Sequence, residues 1–257
     1  MESNLLTLEQ YGFVYNVMSL TIAAMFGTFL FVVLAKGQVG DKYKISLVVS
    51  SIVVAIAGYH YFRIFESWEA AFTLVEGGYK PSGIAFNDAY RYVDWLITVP
   101  LLMVELVTVL ALTKEKTVGL LTKLTIAAFL MIALGYPGES YHEATMFGTR
   151  GLWGALSTIP FLYIMYLLWV ELGNAIQTQP ENVKVLVRNI RLLTVGTWGF
   201  YPIAYMAPFL GLSGSDAQVF LQAGYSIADI LAKCGYGLMI YAIASEKTEY
   251  DKLNKVS

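Results

Sequence analysis

Seven long apolar segments constrain this chain more than any other feature of its sequence. A helix needs about 20 predominantly apolar residues to cross the hydrocarbon core of a bilayer. Segments of this kind occupy residues 11–35, 45–62, 89–112, 118–136, 151–170, 192–212 and 217–244. Because short connections join them, the sequence predicts a single all-α membrane domain over residues 1–257, folded as a bundle of seven transmembrane helices.

The low content of charged residues fits a membrane protein better than a soluble domain. Only 14% of the residues are charged, whereas soluble domains carry about a quarter. The net charge of −2 gives no basis for nucleic-acid binding, so we expect the lipid bilayer as the main partner. The single cysteine, Cys234, excludes an intramolecular disulfide, and the two histidines, His60 and His142, are too few for a metal site. We therefore expect no metal.

Basic residues gather at one end of the predicted bundle. The first, third and fifth connections and the C-terminal tail carry Lys36, Lys42, Lys44, Lys114, Lys116, Lys184, Arg188, Lys247, Lys252 and Lys255. Basic connections stay in the cytoplasm. The pattern thus predicts a multi-pass protein of the plasma or inner membrane, with its N-terminus outside and its C-terminus cytoplasmic.

The longest connection runs from Glu66 to Phe86. It contains Gly77 and Gly78 between two short runs of strand-forming residues, which predicts a β-hairpin. A loop without a hairpin is the alternative.

Ionisable residues inside membrane segments are costly and usually functional. In the third segment, Arg91, Asp94, Thr98, Leu102 and Glu105 are spaced by three or four residues and share one helical face. Eleven residues separate Asp94 from Glu105, about 16 Å along a helix, so the two carboxylates lie at different membrane depths. This spacing favours a proton relay over structural pairing with Arg91.

The seventh segment contains Asp229 and Lys233, one helical turn apart. A lysine in mid-membrane either forms a structural ion pair or reacts with a carbonyl compound as a Schiff base, and these residues alone leave both open. Several aromatic residues at similar depth form either bundle core or a slot for a flat apolar ligand. They are Trp95, Trp153, Trp198, Tyr201, Tyr205 and Tyr225.

Three motifs on three predicted helices resemble those of microbial rhodopsins. They are RYVDWLITVPLL at 91–102, WGFYP at 198–202 and DILAK at 229–233. The resemblance extends over all seven helices. Within the family it is nearer to xanthorhodopsin, and more distant from the proteorhodopsins, as indicated by residues 58–63, 134–139 and 147–154.

The resemblance implies a role for each membrane-embedded ionisable group. Lys233 would bind all-trans retinal as a protonated Schiff base. Asp94 would be the main counterion and first proton acceptor, with Asp229 as second counterion. Glu105 would return a proton from the cytoplasmic side. His60 would hydrogen-bond Asp94 and favour its ionised form.

Further residues are implied by the same resemblance. Arg91 would belong to the proton-handling site, and Leu102, where blue-absorbing relatives have glutamine, implies absorption of green light. Glu139 and Glu143 are candidates for the release group by location. The retinal pocket would be lined by Trp95, Thr98, Leu102, Met131, Gly135, Ser157, Trp198, Tyr201, Pro202 and Tyr205.

Gly154 departs from the bacteriorhodopsin pattern, which has tryptophan at this position, and agrees with the xanthorhodopsin pattern. A glycine there implies a window beside the retinal ring, against which a carotenoid antenna, a xanthophyll or a ketocarotenoid, could lie. The alternative is close helix packing, common in membranes.

The implied function is a light-driven outward proton pump that forms a homo-oligomer, a transporter and not an enzyme. Chloride pumps have a neutral residue at the position of Asp94, so this aspartate argues against a chloride pump. Sodium pumps have an Asn-Asp-Gln pattern at the positions of Asp94, Thr98 and Glu105, so these three residues argue against a sodium pump. A light sensor would often lack the carboxylate of Glu105. A seven-helix receptor or transporter without retinal is the other alternative, and Lys233 with two aspartates argues against it.

Overall fold

A computed structural model describes residues 5–139, 148–212 and 214–255, and over them the chain forms seven long helices. The first six are α1 (Leu8–Ala35), α2 (Lys44–Ala71), α3 (Ala89–Leu110), α4 (Lys114–Glu139), α5 (Thr149–Thr178) and α6 (Glu181–Tyr205). The seventh, α7, has three consecutive segments: Gly214–Asp229, a π-helical turn Ile230–Gly235, and Tyr236–Lys255. The predicted all-helical fold is confirmed.

Within the described residues, six helical stretches are long and apolar enough to cross a membrane. The remaining helix, α6, is more polar because its first half carries Lys184, Arg188 and Arg191. The chain is therefore a multi-pass membrane protein in which α6 is the least apolar member of the bundle.

The helix ends differ from the predicted spans in places. α3 ends at Leu110 and not at 112, because Ala111 adopts a left-handed conformation (φ 53°) that terminates the helix. α6 begins at Glu181, well before the predicted start at 192. It also ends earlier, at Tyr205, where the chain passes into a 3₁₀ turn, Ala207–Leu210. Pro208 in that turn has no N–H to continue an α-helix.

The connection after α2 forms the predicted hairpin and excludes the plain loop. Strands β1 (Phe72–Val75) and β2 (Gly78–Pro81) pair in antiparallel register, with Phe72 opposite Pro81. Gly77 supplies the positive φ of 86° that the tight turn requires. Leu6 extends the sheet through two backbone hydrogen bonds to Tyr79, of 2.9 and 2.8 Å.

At the opposite end of the bundle, the last turns of α7 are fastened to two other elements. Lys247, expected in an exposed tail, is only 8% exposed, and its Nζ donates to the carbonyl of Leu110 at the end of α3 (2.9 Å). The Thr248 hydroxyl accepts from the Gly40 N–H (2.8 Å). A lysine side chain at a helix C-terminus satisfies a carbonyl that has no partner within the helix.

Candidate functional site

An apolar cavity of about 540 Å³ lies among α3, α4, α5, α6 and α7, within the usual size range of small-molecule sites. Nearly all the residues predicted to line a pocket do so: Trp95, Leu102, Met131, Gly135, Gly154, Ser157, Trp198, Tyr201, Pro202 and Tyr205. Lys233 and Asp229 also contribute to its wall. The cavity thus combines an apolar, aromatic lining with a polar end at Lys233.

Thr98 is the exception among the predicted lining residues. It is fully buried, but it does not border the cavity, and its hydroxyl donates to the Asp94 carbonyl within α3 (2.9 Å). Conversely, Val99, Phe161 and Ala232 line the cavity and were not predicted to do so. Their only sequence signal is their position among other apolar residues on helices, which does not distinguish a cavity wall from core.

The Lys233 side chain lies between two carboxylates. It is 2% exposed, and its Nζ is 2.6 Å from Asp94 Oδ2 and 3.0 Å from Asp229 Oδ1. Both carboxylates are buried as well. A buried charge requires a paired and hydrogen-bonded environment, and here α3 and α7 each supply one partner. Lys233 lies within the π-helical turn, a feature that is frequent at functional sites.

The two aspartates have different surroundings. Asp229 accepts hydrogen bonds from the hydroxyls of Tyr61 (2.8 Å) and Tyr201 and from Trp95 Nε1 (3.3 Å), in addition to Lys233. These donors stabilise its negative charge. Asp94 Oδ2 pairs with Lys233, but its Oδ1 has no hydrogen-bond partner among the described residues. Asp94 is therefore the less fully hydrogen-bonded of the two carboxylates.

His60 lies beside Asp94 but does not form the predicted hydrogen bond. Its Nδ1 is 3.9 Å from Asp94 Oδ1, beyond hydrogen-bond distance, and 3.0 Å from the carbonyl of Ile56 one turn earlier in α2. His60 Nδ1 thus bonds a backbone carbonyl of its own helix, α2, and not the Asp94 carboxylate as predicted. The imidazole is still close enough to influence the carboxylate electrostatically.

Arg91 is buried in the same half of the bundle and points to other partners. Its Nη1 donates to Gln222 Oε1 (2.7 Å), and the guanidinium lies 5.2 Å from the ring centroid of Tyr225 and 5.7 Å from that of Tyr61. Within the described part of the chain, the ion pairs of Asp94 involve Lys233 and His60. The alternative in which Arg91 pairs structurally with Asp94 is therefore wrong.

Glu105 is fully buried in the interior. The Ser50 side chain of α2 lies beside its carboxyl group, but over the described residues neither carboxyl oxygen meets regular hydrogen-bond geometry with a partner. It lies on the same helix as Asp94 but nearer the end at which Lys247 meets Leu110. The structure therefore places the two α3 carboxylates at different depths, as the spacing predicted, with Asp94 at the level of the Lys233 amine.

A further polar group beside the cavity was not predicted as a unit. Glu139, only 7% exposed, accepts from the Tyr92 hydroxyl (2.8 Å), and its Oε1 lies 3.7 Å from Arg150 Nη2. Glu143, the other candidate for proton release, lies outside the described residues. No sequence signal joins Glu139 to Arg150, because they belong to the ends of different helices.

Gly154 faces an aromatic ring across the α5–α6 boundary. A Cβ atom at this position would lie 2.8 Å from Tyr205 Cε1, too close without movement of the ring. The glycine thus leaves the space that the Tyr205 ring occupies. Around it the wall is completed by small or half-buried residues, including Ala155 and Thr158.

The known proteins that this chain resembles are rhodopsins. The sequence profile described as bacteriorhodopsin-like protein matches residues 13–247. The crystal structure of xanthorhodopsin, described as a light-driven ion pump with dual chromophore, is 56% identical, covers 96% of this chain and 98% of its own, and superimposes with a TM-score of 0.90. A thermophilic rhodopsin gives 49% identity with the same coverage and TM-score. The green-light absorbing proteorhodopsin of Gamma-proteobacterium EBAC31A08 is 29% identical over 89% of this chain and 85% of its own.

Proposed function

Because the chain belongs to the family of bacteriorhodopsin-like proteins, we propose that it is a light-driven pump that moves protons out of the cell. One observation carries this proposal: a buried lysine at the end of an apolar cavity, placed between two carboxylates of unequal hydrogen bonding. A second proton carrier, Glu105, lies on the same helix as one of them. The likeness to a light-driven ion pump supports the same function.

The cavity fits all-trans retinal in three respects: its volume, its apolar aromatic walls and the primary amine at its end. Linked to Lys233, retinal would supply light absorption and a change of double-bond geometry. Leu102, a fully buried apolar residue of the lining, supports absorption in the green. Trp198, Tyr201 and Pro202 of α6 would hold the polyene from one side.

Asp94 would receive the proton held at the Lys233 nitrogen. The contact of 2.6 Å is short enough for direct transfer, and Asp94 Oδ1 has no competing donor among the described residues. Asp229 would serve as the second counterion, held in place by hydrogen bonds from Tyr61, Tyr201 and Trp95. It would act as a fixed negative charge that balances Lys233 without taking its proton.

Glu105 would return a proton to Lys233. A carboxylate in an apolar interior is costly, and neither oxygen of the fully buried Glu105 is in a regular hydrogen bond among the described residues, so Glu105 would hold a proton ready to donate. Because Glu105 lies nearer one end of the bundle than Asp94 and Lys233 do, it would take up protons from that end, and the proton passed to Asp94 would leave at the other.

The direction of transport depends on orientation, which we propose from the distribution of basic residues. The end of the bundle nearer Glu105 carries Lys36 and Lys42 of the first connection, Lys114 and Lys116 at the start of α4, Lys184 at the start of α6, and Lys247 and Lys252 near the end of α7, so it would face the cytoplasm. Protons would then enter from the cytoplasm through Glu105 and leave through Asp94. The N-terminus and the hairpin would be outside the cell membrane.

A carotenoid antenna is the second part of the proposal, favoured by Gly154. The xanthorhodopsin relative is described as having a dual chromophore, and here Gly154, Ala155 and Thr158 of α5 line the cavity while Ala155 is also exposed on the surface of the bundle. A xanthophyll or ketocarotenoid would bind there mainly through apolar contact, contributing roughly 25 cal/mol per Å² buried, and would meet the Tyr205 ring. We also propose that the pump forms a homo-oligomer.

The decisive experiment is the sign of the light-induced pH change in a suspension of cells that produce the protein with retinal. We expect acidification of the medium, abolished by a protonophore and absent in Asp94→Asn. Alkalinisation that a protonophore enhances would instead show transport of another ion. No visible absorption band after retinal addition would support a receptor or transporter without retinal, and a coloured protein without any pH change would support a light sensor.

A further inference from the structure

A single guanidinium, that of Arg150, joins the ends of three helices beside the cavity. Arg150 is the second residue of α5 and is fully buried. Its Nη1 donates to the carbonyls of Gly138 (3.3 Å) and Glu139 (3.1 Å), the last two residues of α4. Its Nε and Nη2 donate to the carbonyl of Tyr205, the last residue of α6, at 3.0 and 2.6 Å.

The terminal carbonyls of a helix have no partner within that helix, and a cation near them is also favoured by the helix dipole. Arg150 therefore caps α4 and α6 at the same time. The carboxylate of Glu139, 3.7 Å away, balances its charge, so that the buried cation is both paired and hydrogen-bonded.

Tyr205 is held by Arg150 at further points. The Tyr205 hydroxyl donates to the Arg150 carbonyl (3.0 Å), and the guanidinium carbon lies 4.1 Å from the centroid of the Tyr205 ring. This distance is typical of a cation–π contact. Backbone, hydroxyl and ring of one tyrosine are thus all bound to one arginine.

Two glycines provide the space that the Tyr205 ring occupies. A Cβ atom at Gly154 would lie 2.8 Å from Tyr205 Cε1, and one at Gly138 would overlap the tyrosine hydroxyl. The ring itself borders the cavity. Tyr205, and not a side chain at position 154, is therefore the lateral wall of the cavity between α5 and α6.

We propose that Arg150 is a positioning residue of the cavity: by capping α4 and α6 together, it fixes the Tyr205 ring as the lateral wall and keeps water-borne reagents from reaching Lys233 between α5 and α6. The inference rests on the proposed function in that retinal fills the cavity. A residue that only stabilises the fold would act independently of Tyr205, whereas Arg150 acts through the position of the Tyr205 ring.

The test compares Arg150→Gln, Arg150→Lys, Tyr205→Ala, Tyr205→Phe and the double variant Arg150→Gln/Tyr205→Ala. The matched control is Arg191→Gln, because Arg191 also joins α5 and α6, stacking on Trp169 at 3.8 Å, but does not border the cavity. The readouts are the visible absorption maximum and the rate at which hydroxylamine bleaches the retinal-loaded protein in the dark.

Arg150→Gln is expected to bleach about tenfold faster than the wild type, the effect of losing about 1.4 kcal/mol of charge-assisted hydrogen bonding. Tyr205→Ala should match it, and the double variant should be no faster than either single variant. Arg150→Lys should be intermediate, and so should Tyr205→Phe, because it loses the hydroxyl contact to the Arg150 carbonyl and keeps the ring. Arg191→Gln should remain near the wild type. Multiplying effects in the double variant, or an Arg150→Gln protein that behaves like Arg191→Gln, would overturn the inference.

The contact between Arg150 and Tyr205 can also be tested without retinal. The retinal-free wild type, Arg150→Gln, Tyr205→Ala and the double variant are unfolded with SDS, and their unfolding midpoints are compared. Non-additive shifts of the unfolding midpoint are expected, and additive shifts would contradict the inference even in a variant that fails to take up retinal. A wild type that never becomes coloured would refute the proposed function, whereas this cycle would still show whether Arg150 acts through Tyr205.

Discussion

Lys233 Nζ lies 2.6 Å from Asp94 Oδ2, although 139 residues separate the two in the chain. This contact joins α3 to α7 in the middle of the bundle and places a primary amine at the end of an apolar cavity. The amine has a second carboxylate, Asp229, one turn earlier on its own helix.

Replacement of Lys233 by alanine should abolish the visible band that forms when all-trans retinal is added to the purified protein. The reason is that no other primary amine is among the residues lining the cavity in the described part of the chain. Absorption spectroscopy and acid-denatured mass measurement check the result. Lys247→Ala is the matched control, a buried lysine of α7 away from the cavity, and it should stay coloured. A covalent, coloured Lys233→Ala complex would refute the assignment.

Replacement of Asp94 by asparagine should shift the absorption to the red and stop pumping. The positive charge at position 233 loses a counterion 2.6 Å away, and the proton loses its acceptor. Spectra and light-induced pH changes in cells are the measurements. Asp251→Asn, which alters a carboxylate paired with Lys42 outside the cavity, should leave both unchanged. Wild-type transport by Asp94→Asn would eliminate the proposed acceptor.

Replacement of His60 by asparagine should raise the pH at which the colour changes between its red-shifted and normal forms. The imidazole, 3.9 Å from Asp94 Oδ1, favours the ionised carboxylate, so without it Asp94 would take up a proton at higher pH. We expect this shift to appear in a spectrophotometric titration. Tyr59→Phe, which alters an exposed neighbour of the His60 ring, should titrate like the wild type. An unchanged titration in His60→Asn would remove the histidine from the mechanism.

Replacement of Glu105 by glutamine should slow the recovery of the dark-state absorption after a flash by about 100-fold, the order lost with a positioned proton donor. Small acids such as azide should restore the rate, because they carry protons to the interior in place of the carboxyl group. Flash photolysis with and without azide measures this. Glu115→Gln, at an exposed position in the first turn of α4, should recover normally. A normal recovery in Glu105→Gln would exclude the donor role.

Replacement of Gly154 by tryptophan should remove any contribution of an added xanthophyll to the excitation spectrum of retinal-driven activity, which the wild type should show. The bulky side chain would cover the part of the cavity lined by α5, although it must also displace the Tyr205 ring. Gly196→Trp, at an exposed glycine with open space around its Cβ position, should retain the carotenoid bands. If wild type and Gly154→Trp behave alike with several xanthophylls, the glycine only serves helix packing.

Contacts within one helix were the part of the site that could be predicted from the sequence. The spacing of Asp229 and Lys233, and that of Asp94 and Glu105, follows from helical periodicity. The meeting of Lys233 with Asp94 was implied by the family resemblance, because residue spacing does not define how two helices pack.

Contacts that depend on side-chain direction could not be predicted. His60 uses its Nδ1 on the Ile56 carbonyl instead of Asp94, and Thr98 turns to the carbonyl of Asp94 instead of the cavity. In both cases the backbone of the residue's own helix competes for the polar atom. Arg150 was beyond prediction for another reason, since its partners Glu139 and Tyr205 lie at the ends of two other helices.

The π-helical turn at Ile230–Gly235 fixes the angular phase between the two ends of α7. Its wider ring, with the Tyr236 N–H bonded to the Leu231 carbonyl, accommodates one more residue than an α-helical ring. Deleting one residue from this turn would give a more regular helix, but it would rotate the segments on either side against each other by about 100°. Asp229 and Lys247 could then no longer meet α3 together, so this irregular turn keeps one helix aligned with two distant contacts at once.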